Sequence, residues 1–155
     1  MKNRFLVFMA AAGSLLLAAT GSVFAAGWGS PLEVTMWSTQ VKPGITYAYP
    51  ATQVGVRLAP VPIVITNRGK SNLSFVGPNP ITVSGQAAAA YSVQEQPRGV
   101  LAPGESTSFN LGYAPTSAGR NDALVTIRIN DKAMPTFSFE VGSMADQHPS
   151  GAGSI

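Results

Sequence analysis

Apolar residues recur at every second position in six short runs of this chain. Leu32, Val34 and Met36 alternate with Glu33, Thr35 and Trp37, and Val54, Val56 and Leu58 alternate with Gln53, Gly55 and Arg57. Val61, Ile63 and Ile65 follow, with Val64 making that run apolar on both faces. Phe109, Leu111 and Tyr113 alternate with Ser108, Asn110 and Gly112. Ala123, Val125, Ile127 and Ile129 come next, then Phe137, Phe139 and Val141. Side chains of a strand point alternately to opposite faces, so each run predicts a half-buried strand. Weaker strand patterns lie at Leu73 to Val76, Ile81 to Ser84 and Ala90 to Gln94. The one helix-friendly stretch, Gln86 to Ala90, is too short to stand alone and predicts a single turn or a loop.

Turn chemistry separates the runs. Asn67-Arg68-Gly69, Gly77-Pro78-Asn79-Pro80, Ala102-Pro103-Gly104-Glu105, Ala114-Pro115-Thr116 and Asn130-Asp131-Lys132 all supply turn-forming residues. Seven to nine short strands at this spacing predict an all-β, immunoglobulin-like antiparallel sandwich. Pro60, Pro62 and Pro135 are expected to blunt its edges, because proline has no N–H to offer a neighbouring strand.

The first 25 residues break the pattern. Lys2 and Arg4 precede an uncharged run from Phe5 to Ala19, and Val23-Phe24-Ala25 places small residues where a signal peptidase reads. The run is diluted by Gly13, Ser14, Thr20, Gly21 and Ser22, unlike a membrane span. A cleaved leader ending near Ala25 is therefore expected, leaving no membrane span and a periplasmic or extracellular domain over residues 26–144. Residues 145–155 lack periodicity and predict a disordered tail.

Composition narrows the function classes. The 155 residues hold no Cys, which excludes a disulfide scaffold, a Cys-ligated zinc and a Cys nucleophile. Sixteen Gly and 12 Pro against 11% charged residues disfavour a helical bundle. Loss of Lys2 and Arg4 takes the formal net charge from +3 to +1, and the remaining cations are scattered, so no nucleic-acid partner is expected.

Candidate chemistry is sparse. The single histidine, His148, sits in the expected tail, and the seven acids fall at turns or on polar faces, so no catalytic site and no enzyme activity are expected. Past the expected leader, Met36, Met134, Met144 and His148 are the soft donors that a copper ion could use. They form no Met-x-x-Met cluster, so a periplasmic copper carrier is a subordinate alternative, and no cofactor or metal is expected. The aromatic residues are more informative. Trp28, Trp37, Tyr47 and Tyr49 crowd into 22 positions, and Trp37 holds the polar phase of its strand, opposite Met36. Exposed aromatic rings serve protein-binding and sugar-stacking surfaces, so these four residues are the candidate binding set.

One pattern extends over residues 61–142. It runs through Val61-Pro62-Ile63-Val64-Ile65-Thr66-Asn67-Arg68-Gly69, Leu73, Tyr91-Ser92-Val93 and Leu101-Ala102-Pro103-Gly104-Glu105-Ser106. It continues with Phe109, Tyr113-Ala114-Pro115-Thr116, Gly119, Ala123-Leu124-Val125-Thr126-Ile127 and Phe139-Glu140-Val141-Gly142. This pattern resembles the abnormal-spindle/hydin (ASH) type of immunoglobulin-like domain, whose bacterial secreted relatives are described as choice-of-anchor D proteins. The resemblance implies a seven-stranded sandwich related to major sperm protein and pilus-chaperone domains. It also implies a binding or scaffolding role without shared catalytic residues. The expected partner is another envelope or extracellular protein, with a glycan bound by the N-terminal aromatics as the alternative.

Within this pattern each turn has a physical reason. Asn67 and Gly69 can adopt left-handed angles and close a tight turn. Pro103-Gly104 suits a type II turn, Pro115 ends the Tyr113 strand, and Gly119 permits the reversal before Ala123.

Overall fold

Alternating burial builds two sheets whose apolar faces meet. The computed structural model describes residues 30–97 and 99–147. The expected leader, Trp28 and residues 148–155, with His148, lie outside them. Twelve strands are formed among the described residues: β1 (Leu32–Met36), β2 (Thr39–Val41), β3 (Thr46–Ala48), β4 (Thr52–Gln53), β5 (Val61–Asn67), β6 (Leu73–Ser74), β7 (Ile81–Ser84), β8 (Tyr91–Gln94), β9 (Val100–Leu101), β10 (Ser106–Tyr113), β11 (Gly119–Arg128) and β12 (Thr136–Asp146). One sheet has the order β2-β1-β5-β10-β8, the other β3-β12-β11-β7 with β4 also on β12, and β6 pairs with β9. Ala88–Ala90 form one 3-10 turn, as the short Gln86–Ala90 stretch predicts. No helix among the described residues is long and apolar enough to cross a membrane.

The phase read from the sequence holds in the long strands. Val34, Met36, Ile63, Ile65, Phe109, Leu111, Val125, Ile127, Phe139 and Val141 are buried in one continuous core, while Glu33, Pro62, Ser108, Leu124, Arg128 and Glu140 face outward. The all-β sandwich is thus the fold. It differs from a purely antiparallel one in a single respect: β3 and β4 run parallel to β12.

Several expectations change, first the strand number, which is twelve among the described residues where seven to nine were expected. Residues 54–58 form no strand. A turn closes there, with Val56 N–H donating to the Gln53 carbonyl at 3.0 Å and Gly55 at φ +83°, and Val56 stays exposed. This segment must cross from the β12 sheet to the β5 sheet, and it does so by donating Gly55 N–H to Pro115 and Leu58 N–H to Tyr113. Ala145 and Asp146, expected in the tail, belong to β12 instead: β4 pairs with both and Ala145 is buried. Finally, Pro62 guards no edge, because it lies in β5, between β1 and β10.

Side chains cap two edges instead. On edge strand β2, Lys42 N–H donates to the Tyr47 hydroxyl at 2.7 Å, and that hydroxyl donates to the Gln40 carbonyl at 3.3 Å. On edge strand β7, the Gln96 amide accepts from Ile81 N–H at 3.0 Å and donates to Ile81 C=O at 2.8 Å. Each side chain occupies backbone groups that an incoming strand would need.

The turns are held in two ways. Gly104 (φ +86°) and Gly119 (φ +96°) adopt the left-handed angles expected of them, and Glu105 N–H closes the Pro103-Gly104 turn on Ala102 C=O at 3.0 Å. Asn67 and Gly69 do not; neither has positive φ. The Asn67 side chain does the work, fully buried, donating to Ser71 C=O at 2.9 Å and Leu101 C=O at 2.8 Å while accepting from Gly69 N–H at 2.9 Å. Gly69 is needed for close approach, since a Cβ there would lie 2.9 Å from the Pro31 Cβ.

Candidate binding end

The β1–β2 hairpin sets the geometry of one end of the sandwich. Met36 pairs with Thr39, leaving Trp37 and Ser38 as a two-residue turn. Both are left-handed, at φ 49° and 64°, the backbone pattern of a type I′ hairpin turn. Such turns favour Asn-Gly, and a non-glycine residue held there carries strain of order 1–3 kcal/mol. Here the turn carries a tryptophan that remains 48% exposed. Its ring packs on Tyr49, with centroids 5.3 Å apart and planes tilted by 59°.

Beneath Trp37 lies a buried tyrosine cluster. Tyr49 contacts Tyr91 and Tyr113, each at 5.8 Å between centroids, and Tyr91 and Tyr113 face each other across β8 and β10 at 4.8 Å. The Tyr49 hydroxyl donates to Leu111 C=O at 3.1 Å, and that of Tyr91 to Asn121 C=O at 2.8 Å. The buried Tyr113 hydroxyl has no hydrogen-bond partner. Burial pushes the Tyr49 hydroxyl above the ordinary tyrosine range. It does the same to Tyr91, with smaller contributions from Tyr113, Tyr49 and the negative Asp122.

The four sequence candidates therefore separate. Trp28 lies outside the described residues. Trp37 presents a ring to solvent. Tyr49 is its buried support, and Tyr47 caps the β2 edge while its ring stands edge-on to Phe139 at 6.1 Å. Sequence reasoning did not select Tyr91 and Tyr113 for this end. Their cross-strand pairing depends on the β8–β10 register, which no local pattern specifies.

The acids serve local structure. Glu33 pairs with Arg68 at 2.9 Å, and that hydrogen bond holds its carboxyl below the ordinary glutamate range. Asp131 accepts from Ala133 and Met134 N–H, Glu105 from Ala102 N–H, Glu140 from the Thr46 hydroxyl, and Asp122 from Arg120. No group of three or more His, Cys, Asp or Glu side chains able to hold a metal comes together among the described residues. Of the sulfur atoms considered for copper, Met36 is in the core, Met144 is exposed, and Met134 receives the Ser30 hydroxyl at 3.4 Å.

No family model and no curated protein matches this chain. Solved structures do. The chain is similar to the ASH/PapD-like domain 7 of human CEP192, at 13% identity and a TM-score of 0.51, over 84% of this chain and 97% of that one. That likeness places the fold among ASH/PapD-like sandwiches. A Vibrio cholerae VesB protease structure matches at 11% identity and TM-score 0.47, over 74% of this chain and only 32% of that one. WR4, a Caenorhabditis elegans member of the MSP family, matches at 12% identity and TM-score 0.38, over 63% and 92% of the two chains.

Proposed function

We propose that this protein is a non-catalytic docking module of the bacterial cell envelope, exported by its leader and bound to another envelope or extracellular protein through the Trp37 end. One observation carries the reading: a half-exposed tryptophan held on a left-handed turn and stacked on a buried tyrosine. Strained backbone persists where surrounding packing over-determines it, and such positions cluster at sites of function. Tryptophan is also among the residues that dominate protein–protein binding energy. The ASH/PapD-like fold agrees with a binding role, and the choice-of-anchor D resemblance agrees with export. The glycan alternative is weaker, because Tyr49 is buried and Tyr47 is committed to the β2 edge, leaving no second open ring beside Trp37 among the described members of the set.

The test is affinity capture with the tagged mature domain from its native envelope. A recurrent protein is then purified, and its binding measured by calorimetry against parent and Trp37→Ala. A hot-spot loss of about 2 kcal/mol corresponds to about a 30-fold weaker Kd. A partner that binds both proteins equally, with both folded, refutes the assignment of Trp37.

A further inference from the structure

The two main sheets end laterally at β2 and β8 in one, and at β3 with β4 and at β7 in the other. Most of these edges are blunted. Tyr47 caps β2 and Gln96 caps β7. Strands β3 and β4 are three and two residues long, with Pro50 between them. Strand β8 has no such device, and β10 is its one partner in the sheet. No Asp, Glu, Lys or Arg occurs between Lys70 and Glu95, and no proline between Pro80 and Pro97. A sheet edge without charge, proline or a cap is a template for another strand.

The backbone of β8 sends particular groups outward. Ala114 N–H donates to Ala90 C=O at 2.8 Å, so Ala90 faces β10, and by alternation so do Ser92 and Gln94. Tyr91 and Val93 turn their backbone groups away from β10. The same rule on β7, set by Arg128 N–H donating to Pro80 C=O, sends the Ile81 groups outward, where the Gln96 amide meets them. On β8, Tyr91 N–H is taken by Ala88 C=O. Val93 N–H, Val93 C=O and Tyr91 C=O make no hydrogen bond among the described residues. The trans peptide after Gln94 adds one more group: its C=O faces β10, so Glu95 N–H points outward, also unbonded. Glu95 itself, at φ 59°, turns the chain out of the strand.

These groups are complementary to themselves. About a two-fold axis at Val93, antiparallel pairing sets Val93 N–H against the Val93 C=O of a second copy, and Glu95 N–H against its Tyr91 C=O. The symmetry repeats both bonds. The donor already committed, Tyr91 N–H, falls where the opposite chain has turned away at Glu95. Beside the axis, the exposed Ser92 meets the half-buried Gln94 of the second copy, so no charge opposes a like charge. We infer that the β8 edge is a pairing site for a second copy of this chain, antiparallel and centred on Val93, joining the two β2-β1-β5-β10-β8 sheets edge to edge. So short a contact makes a weak, reversible dimer, with a Kd on the order of 0.1 mM. The pairing uses backbone groups of β8 and does not rest on the docking proposal for Trp37.

The test is sedimentation equilibrium of the mature domain across about 0.01–1 mM, with amide hydrogen exchange at both ends of that range. The parent should pass from monomer to dimer, and the Val93 and Glu95 amides should exchange several-fold more slowly at the higher concentration. Ser92→Lys with Gln94→Lys sets like charges across the pair and should weaken the dimer at least about tenfold. Ser92→Lys with Gln94→Glu sets opposite charges there and should restore it. Both variants carry the same Ser92 substitution, so that recovery separates charge repulsion from a fold defect. The inference is overturned if the parent stays monomeric throughout the range, even where a strand of another protein protects the two amides. It is also overturned if the double-lysine variant dimerises as well as the parent, or if a dimer forms without slowing exchange at Val93 and Glu95.

Discussion

Replacing Asn67 by alanine should destabilise the domain more than any other single polar truncation at its turns. The side chain is fully buried and makes three hydrogen bonds, to the Gly69 N–H and to the Ser71 and Leu101 carbonyls. The Leu101 bond is buried, and an orphaned buried acceptor costs about 1–3 kcal/mol. The other two are partly accessible, so water recovers some of their loss, leaving roughly 0.5–1 kcal/mol each. The expected total is about 2–5 kcal/mol. With a urea dependence of about 1–3 kcal/mol per molar for a domain this size, the midpoint falls by roughly 1–2 M. The assay is urea unfolding of the mature domain, followed by tryptophan fluorescence and circular dichroism. Asn79→Ala, an exposed turn residue, is the control and should lie within about 0.5 kcal/mol of the parent. Asn67→Asp keeps an acceptor for Gly69 but sets a carboxylate against two carbonyls, so it should cost at least as much as alanine. If Asn67→Ala unfolds at the parent midpoint with an unchanged slope, or if aspartate is the milder substitution, the two donated hydrogen bonds do not hold this turn and the reasoning fails.

Three further outcomes follow from packing, strain and ionisation. Ile127→Ala should cost about 2–5 kcal/mol by opening a core cavity, and Arg128→Ala, on the outer face, close to nothing; equal midpoints would mean that the β11 phase is wrong. Ser38→Gly should stabilise the fold by about 0.5–1 kcal/mol, since glycine adopts φ 64° without a Cβ penalty; a destabilised variant would argue against a left-handed turn. The unfolded state loses tyrosine protons near pH 10 while the folded state retains those of Tyr49 and Tyr91. Stability should therefore be level below that pH and fall above it, with Tyr49→Phe showing a shallower fall; urea midpoints that stay constant to pH 11 would contradict the buried placement.

The long strands were readable because their two faces see different environments. Ala123 to Ile127 and Phe137 to Val141 each bury every second residue, so solvent exposure writes itself into the alternation. Where an element's partner is distant, the signal disappears. Strands β3 and β4 are three and two residues long and exist because β12 lies alongside them; nothing within Thr46–Ala48 or Thr52–Gln53 encodes that neighbour. The same holds in reverse at Val54–Leu58, where alternation was present but Gly55 turns the chain and no continuous ladder forms. Trp37 was legible as an outward-facing aromatic. Its left-handed angle was not, because Trp-Ser is not a type I′ signature and only the Met36–Thr39 pairing imposes it. The Asn67 network was invisible for a related reason: its buried hydrogen bond to Leu101 joins residues 34 positions apart.

The parallel pairing of residues 46–53 with the end of β12 bears on how the molecule comes into being. Thr46 and Glu140 are 94 positions apart, so this edge cannot form until the residues of β12 have been made. During vectorial synthesis, the segment at residues 46–53 has no β12 to pair with and its backbone groups stay in water. A nascent chain stopped before Thr136 lacks the strand on which β3, β4 and β11 all pair. Completion thus becomes a late, single event that depends on the arrival of the last strand, and contacts of such long sequence separation fold slowly. The sheet that holds β3, β4, β11 and β7 therefore closes only once, when β12 is delivered.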